Sequence, residues 1–242
     1  MYTIESHGYA HSTKIGVTWA LRRILTDLWE YHGAPKLDMV VPHYPAARPR
    51  NVTATRDEIE TLLNAAKPSL RLWLLFCSDL ALRSGTANKL NGSNYDPERG
   101  ELRFVSKGQA KQMLPVTEEI RTMLDPLDHC TETPYVWQLR KKEQVRGHQS
   151  LVYPAKILRK ELKALRLSLG ITKRIIPHDL RRTAAVAMLD ETHDLRAVKV
   201  LLGHSDLKTT LGYLDHDIIH LDQSMLEAIK RPFLVKPKEK TA

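Results

Sequence analysis

The residues that could do chemistry begin at His178-Asp179-Leu180-Arg181. On a helix, this three-residue spacing sets the imidazole and the guanidinium on one face. Pro177, immediately ahead, marks a first helical turn, where backbone N–H groups lack intrahelical acceptors and the dipole is positive. That setting suits a phosphate. A guanidinium stays charged and offers a planar fork of donors, while an imidazole can donate a hydrogen bond or carry a proton. The same four letters recur at His193-Asp194-Leu195-Arg196, so the motif alone does not choose between two sites. Downstream, Leu202-Gly203-His204-Ser205-Asp206 reads as a helix end, a glycine cap and a new N-cap. Thr209-Thr210-Leu211-Gly212-Tyr213 follows on the next short helix.

In this order the sequence resembles the tyrosine recombinase (phage integrase) family. Its C-terminal pattern runs H-x-x-R, then an L-G-H element, then T-T-x-x-Y ending in the nucleophile. Arg181 precedes His204 by 23 residues, matching the family's spacing, and Arg196 precedes it by only 8. The resemblance therefore selects His178 and Arg181 and leaves His193 and Arg196 as an ordinary helix start. Upstream, Leu80-Ala81-Leu82-Arg83-Ser84-Gly85-Thr86 resembles the G-L-R-x-x-E element that carries the first catalytic arginine, here Arg83. Ala81 stands where glycine is usual and Thr86 where an acid is usual. Val105 to Val116 resembles the hairpin of the catalytic lysine, with Lys107 as the match and Lys111 its neighbour. The resemblance spans about residues 50–220.

The chemistry it implies explains these residue types. A phosphodiester under attack gathers negative charge on its non-bridging oxygens, which Arg83 and Arg181 can each fork. His178 and His204 add hydrogen bonds or manage a proton. Tyr213 is the implied covalent nucleophile; a free Tyr has pKa ~10, and two nearby guanidiniums favour its oxyanion. Lys107 is the implied general acid for the departing 5′-oxygen. The product is a 3′-phosphotyrosyl intermediate that conserves bond energy, so the expectation is no cofactor, no nucleotide and no metal.

Charge distribution makes a separate argument. The chain carries 37 Lys+Arg against 28 Asp+Glu, a formal +9. Gln138 to Arg182 alone holds 13 basic and 3 acidic residues, so the rest is nearly neutral. On a helical wheel Leu158, Leu162, Leu165 and Leu169 form one seam, with Lys156, Arg159, Lys160, Lys163 and Arg166 opposite. Glu161 is the only acid there. We read this face as a grip on duplex DNA phosphates, extended by Arg140, Lys141, Lys142 and Arg146; such contacts give affinity without sequence choice.

Other classes drop out. Cys77 and Cys130 are the only cysteines, too few for a disulfide framework or a cysteine zinc site. No apolar run approaches a bilayer span, no leader pattern is seen, and no two glycines stand as G-x-G. His216 and His220 sit at i, i+4, but without the H-E-x-x-H glutamate or an obvious third ligand. The reading is a cytoplasmic, nucleoid-associated protein.

These residues must be positioned by predicted elements. Ser12 is expected to cap a helix over about 12–32, and a proline-punctuated linker follows. Thr55 and Glu58 form a capping box. Ser69–Arg83 reads as a buried helix, putting Arg83 at its C-terminus, and Thr86–Leu90 as a short one. Leu102–Ser106 and Gln112–Val116 read as a β-hairpin. Beyond it only helices are expected: about 117–125, 153–169, 178–190, 194–202, 206–214 and 217–230. The resemblance implies a mainly α fold with a small antiparallel β-sheet, the DNA breaking-rejoining catalytic fold. The expected domains are a core-binding remnant at 1–33, a linker at 34–50, a catalytic domain at 51–230 and a basic tail at 231–242. Assembly as a homo-tetramer on DNA follows from the same resemblance. Two other readings stay open: a DNA-binding relic or regulator, and topoisomerase IB-like relaxation.

Overall fold

The computed structural model describes residues 8–35, 42, 44–45, 52–105, 111–142, 155–204 and 210. It divides into two compact units, Met1–Arg50 and Asn51–Ala242.

The described part of the first unit is one long helix, α1 (His11–Tyr31). Its N-cap is Ala10, not Ser12, because the first helical bond runs from Lys14 N–H to the Ala10 carbonyl at 3.0 Å. Ser12 thus falls inside the first turn.

The second unit begins with α2 (Arg56–Ala65), and both halves of its capping box form. Glu58 N–H donates to Thr55 Oγ1 at 3.2 Å, and Thr55 N–H donates to Glu58 Oε2 at 2.7 Å. The apolar helix α3 (Pro68–Ser78) follows, with Leu72 to Cys77 buried without interruption. Such a helix belongs at the centre of a core, and it packs against α2 and against later helices that include α6 (Tyr135–Lys142), α7 (Ala155–Ser168) and α8 (Pro177–Thr192). It ends five residues earlier than expected. The chain reverses through Ala81, whose φ is +49°, and Leu82 N–H bonds back to the Phe76 carbonyl at 2.9 Å. Arg83 is therefore the extended N-cap of the short helix α4 (Ser84–Ala87), not the end of α3.

Three antiparallel strands follow in the order β1 (Tyr95–Asp96), β2 (Glu101–Val105) and β3 (Lys111–Pro115). The expected hairpin is β2–β3, starting one residue earlier on each strand, and β1 is an addition too short to show an alternating pattern. Leu102 pairs with Leu114, which buries one face of the sheet on the core. The helix α5 (Glu118–Leu124) is capped by the Thr117 hydroxyl.

The helix α6 is the element the sequence pattern did not reveal. Its Tyr135, Val136 and Trp137 are all buried, an unbroken apolar triplet with no helical period. On α7, by contrast, Leu158 and Leu162 are buried and Leu165 partly so, as is Leu169 just past its end, as the seam required. The last described helix, α9 (Leu195–Leu202), is capped by Asp194 and closed by Gly203 at φ +58°. The expected helices over 206–214 and 217–230, and the tail from 231, lie outside the described residues.

Candidate active site

Arg181 is the keystone of the site. It projects from the second turn of α8 and is 2% exposed. One Nη1 proton goes to the Ala81 carbonyl, and Nη2 donates to the Leu202 carbonyl at 2.6 Å. One guanidinium thus ties α8 to the reversal after α3 and to the end of α9. Nη2 also lies 3.4 Å from His204 Nε2. A guanidinium can only donate, so Nε2 accepts; the Nδ1–H then donates to Thr210 Oγ1 at 3.1 Å. Both His204 and Thr210 are buried.

Electrostatics agree with that tautomer. Burial, and then the positive charges of Arg181 and Arg83, push the His204 imidazole down to about 4. His178 is also held below its ordinary value, first by burial and then by Arg181, with Asp179 opposing. Both imidazoles are neutral at physiological pH.

Arg83 is half-buried at the head of α4. With His178 and Arg181 it lines a cavity of about 430 Å³, which Arg159 and Arg174 also line. On its other side Arg83 lines a second cavity of about 520 Å³, shared with Thr86, Lys89 and Phe104. Thr86, at the place where the family has an acid, therefore lies in the neighbourhood of Arg83. The strand β3 reaches the site through Gln112, whose Nε2 donates to the Val200 carbonyl at 3.1 Å and to Leu201 at 3.4 Å. This tether joins the hairpin to the helix end just before His204.

Arg83, His178, Arg181 and His204 are thus brought together. Lys107, Tyr213 and Arg146, and the side chains of Lys141 and Lys142, lie outside the described residues. Of the expected phosphate grip, Lys156, Lys160 and Lys163 are exposed on α7. Arg159 is exposed too, but its Nη2 reaches Ser84 Oγ at 3.2 Å, at the cavity wall.

Two basic residues depart from the expected face. Arg140 is 8% exposed and forks Glu161 with bonds of 3.0 and 2.7 Å. It offers no phosphate contact from a surface, because burial demands a charged partner and the one acid of α7 supplies it. Arg166 is likewise buried, its Nη1 donating to the carbonyls of Ile171, Thr172 and Lys173. It closes the loop after α7. At the second H-D-L-R copy, Asp194 caps α9 through Arg196 N–H at 2.7 Å and His193 ends α8, as a helix boundary should.

Sequence reasoning missed Arg174, Ser84 and Gln112. Ser84 follows Arg83 directly, and that adjacency is a usable signal, whereas nothing local marks Gln112 or Arg174 as site residues. Among the described residues no group of three His, Cys, Asp or Glu could hold a metal, and no helix is long and apolar enough to cross a membrane.

Comparison with known proteins fixes the class. Residues 53–219 match the phage integrase family, and the chain belongs to it. It is 31% identical to the tyrosine recombinase XerC of Histophilus somni over 160 residues, 62% of this chain and 49% of that one. It thus spans about half of that relative's length. It is 26% identical to a tyrosine recombinase of Pseudothermotoga lettingae over 232 residues, 90% of this chain and 76% of that relative. The fold is shared with the XerH site-specific recombinase bound to its difH substrate, at TM-score 0.63 and 19% identity, covering 94% of this chain and 67% of that one. The mainly α architecture with a small antiparallel sheet is therefore the tyrosine recombinase fold.

Proposed function

We propose that this chain is a site-specific recombinase or integrase that cleaves and rejoins duplex DNA through a 3′-phosphotyrosyl intermediate. The observation that carries the reading is the meeting of Arg83, His178 and Arg181 on one cavity, with His204 bonded to the same Arg181. These groups come from α4, α8 and the turn after α9, far apart in sequence. A core has no reason to collect two guanidiniums and a neutral imidazole at one opening, with a second neutral imidazole bonded to one of those guanidiniums.

In the proposed reaction Tyr213 Oη attacks the phosphorus, and the bond from phosphorus to the 5′-oxygen breaks. Neutral His178 takes the tyrosine proton, and Lys107 delivers one to the departing oxygen. Arg83 and Arg181 fork the non-bridging oxygens as charge builds, and Arg181 does so from a frame already locked by two carbonyls. Rejoining reverses these steps with a 5′-hydroxyl as nucleophile, so neither nucleotide nor metal takes part.

Duplex DNA is the partner of this reading. The exposed Lys156, Lys160 and Lys163 on α7 support a backbone grip, and the Tn1549 transposon integrase, of like fold, is in complex with transposon right end DNA. We further read residues 1–33 as a core-binding remnant, 34–50 as linker, 51–230 as the catalytic domain, 231–242 as a tail, and the working assembly as a homo-tetramer on DNA. The division of the chain at Arg50 supports the linker position. A two-site plasmid recombination assay run beside a one-plasmid relaxation assay tests the function. Exchange between sites is expected; relaxation without exchange would instead favour topoisomerase-like chemistry.

A further inference from the structure

Two neighbouring backbone amides at the entry to the second unit, those of Ala54 and Thr55, are tied to the segment that carries His178 and Arg181. Ala54 N–H donates to Thr183 Oγ1 at 2.8 Å, a contact across 129 residues between buried Ala54 and α8. A hydroxyl has one proton to give and two lone pairs, and that of Thr183 donates to the Asp179 carbonyl one turn back at 2.9 Å. This bond fixes the side chain so that a lone pair faces Ala54. Asp179 is itself buried, and its Oδ2 accepts the Ile176 N–H at 2.9 Å, closing the first turn of α8.

The second amide completes the grip. Thr55 N–H donates to Glu58 Oε2 at 2.7 Å, and the same oxygen takes Lys173 Nζ at 2.9 Å. Lys173 and Thr183 are therefore both tied to the stretch 54–58, and His178 and Arg181 lie between the ties. Arg181 has a frame of its own in the carbonyls of Ala81 and Leu202, so the tie at Thr183 bears mainly on the first turn and on His178.

We infer that Thr183 is a positioning residue for the active site: its hydroxyl latches the entry segment to α8 and so sets the turn that presents His178. The inference rests on the recombinase reading for what His178 acts on, but its first readout needs no DNA.

That readout is the titration of the His178 imidazole by proton NMR on the whole chain, assigned with His178→Gln. Burial and the nearby Arg181 hold it below the ordinary 6.5, with Arg83 and Arg182 acting in the same sense and Asp179 opposing. Thr183→Val keeps shape and charge but removes the hydroxyl. A loosened turn exposes the ring and moves it away from Arg181, so the midpoint should rise towards 6.5, and Thr183→Ser should restore it. On nicked duplexes Thr183→Val should form adduct about tenfold more slowly at saturating protein, with an unchanged gel shift. An unmoved midpoint, or an undiminished rate of attachment, would overturn the inference, whatever the melting temperature does. If Thr183→Val does not fold, Glu58→Ala decides by the same sign: loss of a negative charge alone lowers the midpoint, so only a displaced turn raises it. A raised midpoint in a chain whose wild type never attaches to DNA would keep the latch and remove the recombinase reading; attachment with an unmoved midpoint would do the reverse.

Discussion

Arg181 Nη2 stands 3.4 Å from His204 Nε2, so the imidazole must present a lone pair to the guanidinium. This pairing decides how the protein responds to acid. Folded His204 protonates only near about 4, whereas an unfolded histidine does so near its ordinary 6.5. The stability conferred by the neutral form is complete above pH 6.5 and is lost as pH falls towards 4. Melting temperature should therefore drop between about pH 7.5 and about pH 5. His204→Gln should flatten that drop, and an unchanged slope in the variant would count against the assignment.

The two arginines should separate in a denaturation experiment. Arg181→Ala strips the donor from two carbonyls at a buried position, costing about 3 kcal/mol or more. Arg83→Ala, at a half-buried N-cap with no side-chain capping bond, should cost within about 1 kcal/mol. Both should abolish covalent attachment to DNA. Urea unfolding of the two variants gives the comparison, and equal losses of stability would refute the structural role given to Arg181.

A different division runs through the basic stretch. Arg140→Met breaks the ion pair between the buried Arg140 and the part-exposed Glu161 and should lower stability by about 2 kcal/mol. It should leave the salt dependence of DNA binding intact. Lys160→Gln or Lys163→Gln should do the opposite. Melting should not change, and the slope of log affinity against log salt should shrink by about 0.9 for each phosphate no longer neutralised. Filter binding across a salt series reads this directly, and a slope equal to that of the wild type would take these lysines out of the DNA grip.

Gln112 and Gly203 should prove coupled. Gln112→Ala removes the tether to Val200 and Leu201, costing about 1 kcal/mol and slowing strand cleavage. Gly203→Ala meets both a left-handed backbone and the Gln112 side chain, which a Cβ there would overlap. The double variant should lose less than the two singles combined, because Gln112→Ala removes the clash. Strict additivity in unfolding free energy would show that the two residues act apart.

How far these features are legible from sequence depends on their range. Capping boxes, leucine seams and the Gly203 stop are local patterns, and Thr55–Glu58, the α7 seam and the end of α9 stand as expected. The end of α3 is not legible, because Ala81 gives no glycine signal, yet it adopts the left-handed φ that glycine takes without strain. The family's usual glycine at this place has that physical meaning. Arg140 and Arg166 read as surface cations because a sequence pattern shows which face a residue is on but not whether another element covers it. The meeting of Arg83, His178, Arg181 and His204 is legible only through motif order, since no local rule joins residues about a hundred positions apart.

Tyr213→Phe tests the central claim most directly. Wild-type chain is incubated with a pool of nicked suicide duplexes of randomised sequence, and the detergent-resistant protein–DNA adduct is recovered; the same duplexes are then offered to the Phe variant. The account predicts an adduct with the wild type, none with Tyr213→Phe, and an undiminished gel shift in both. An adduct that persists in the Phe variant would contradict it.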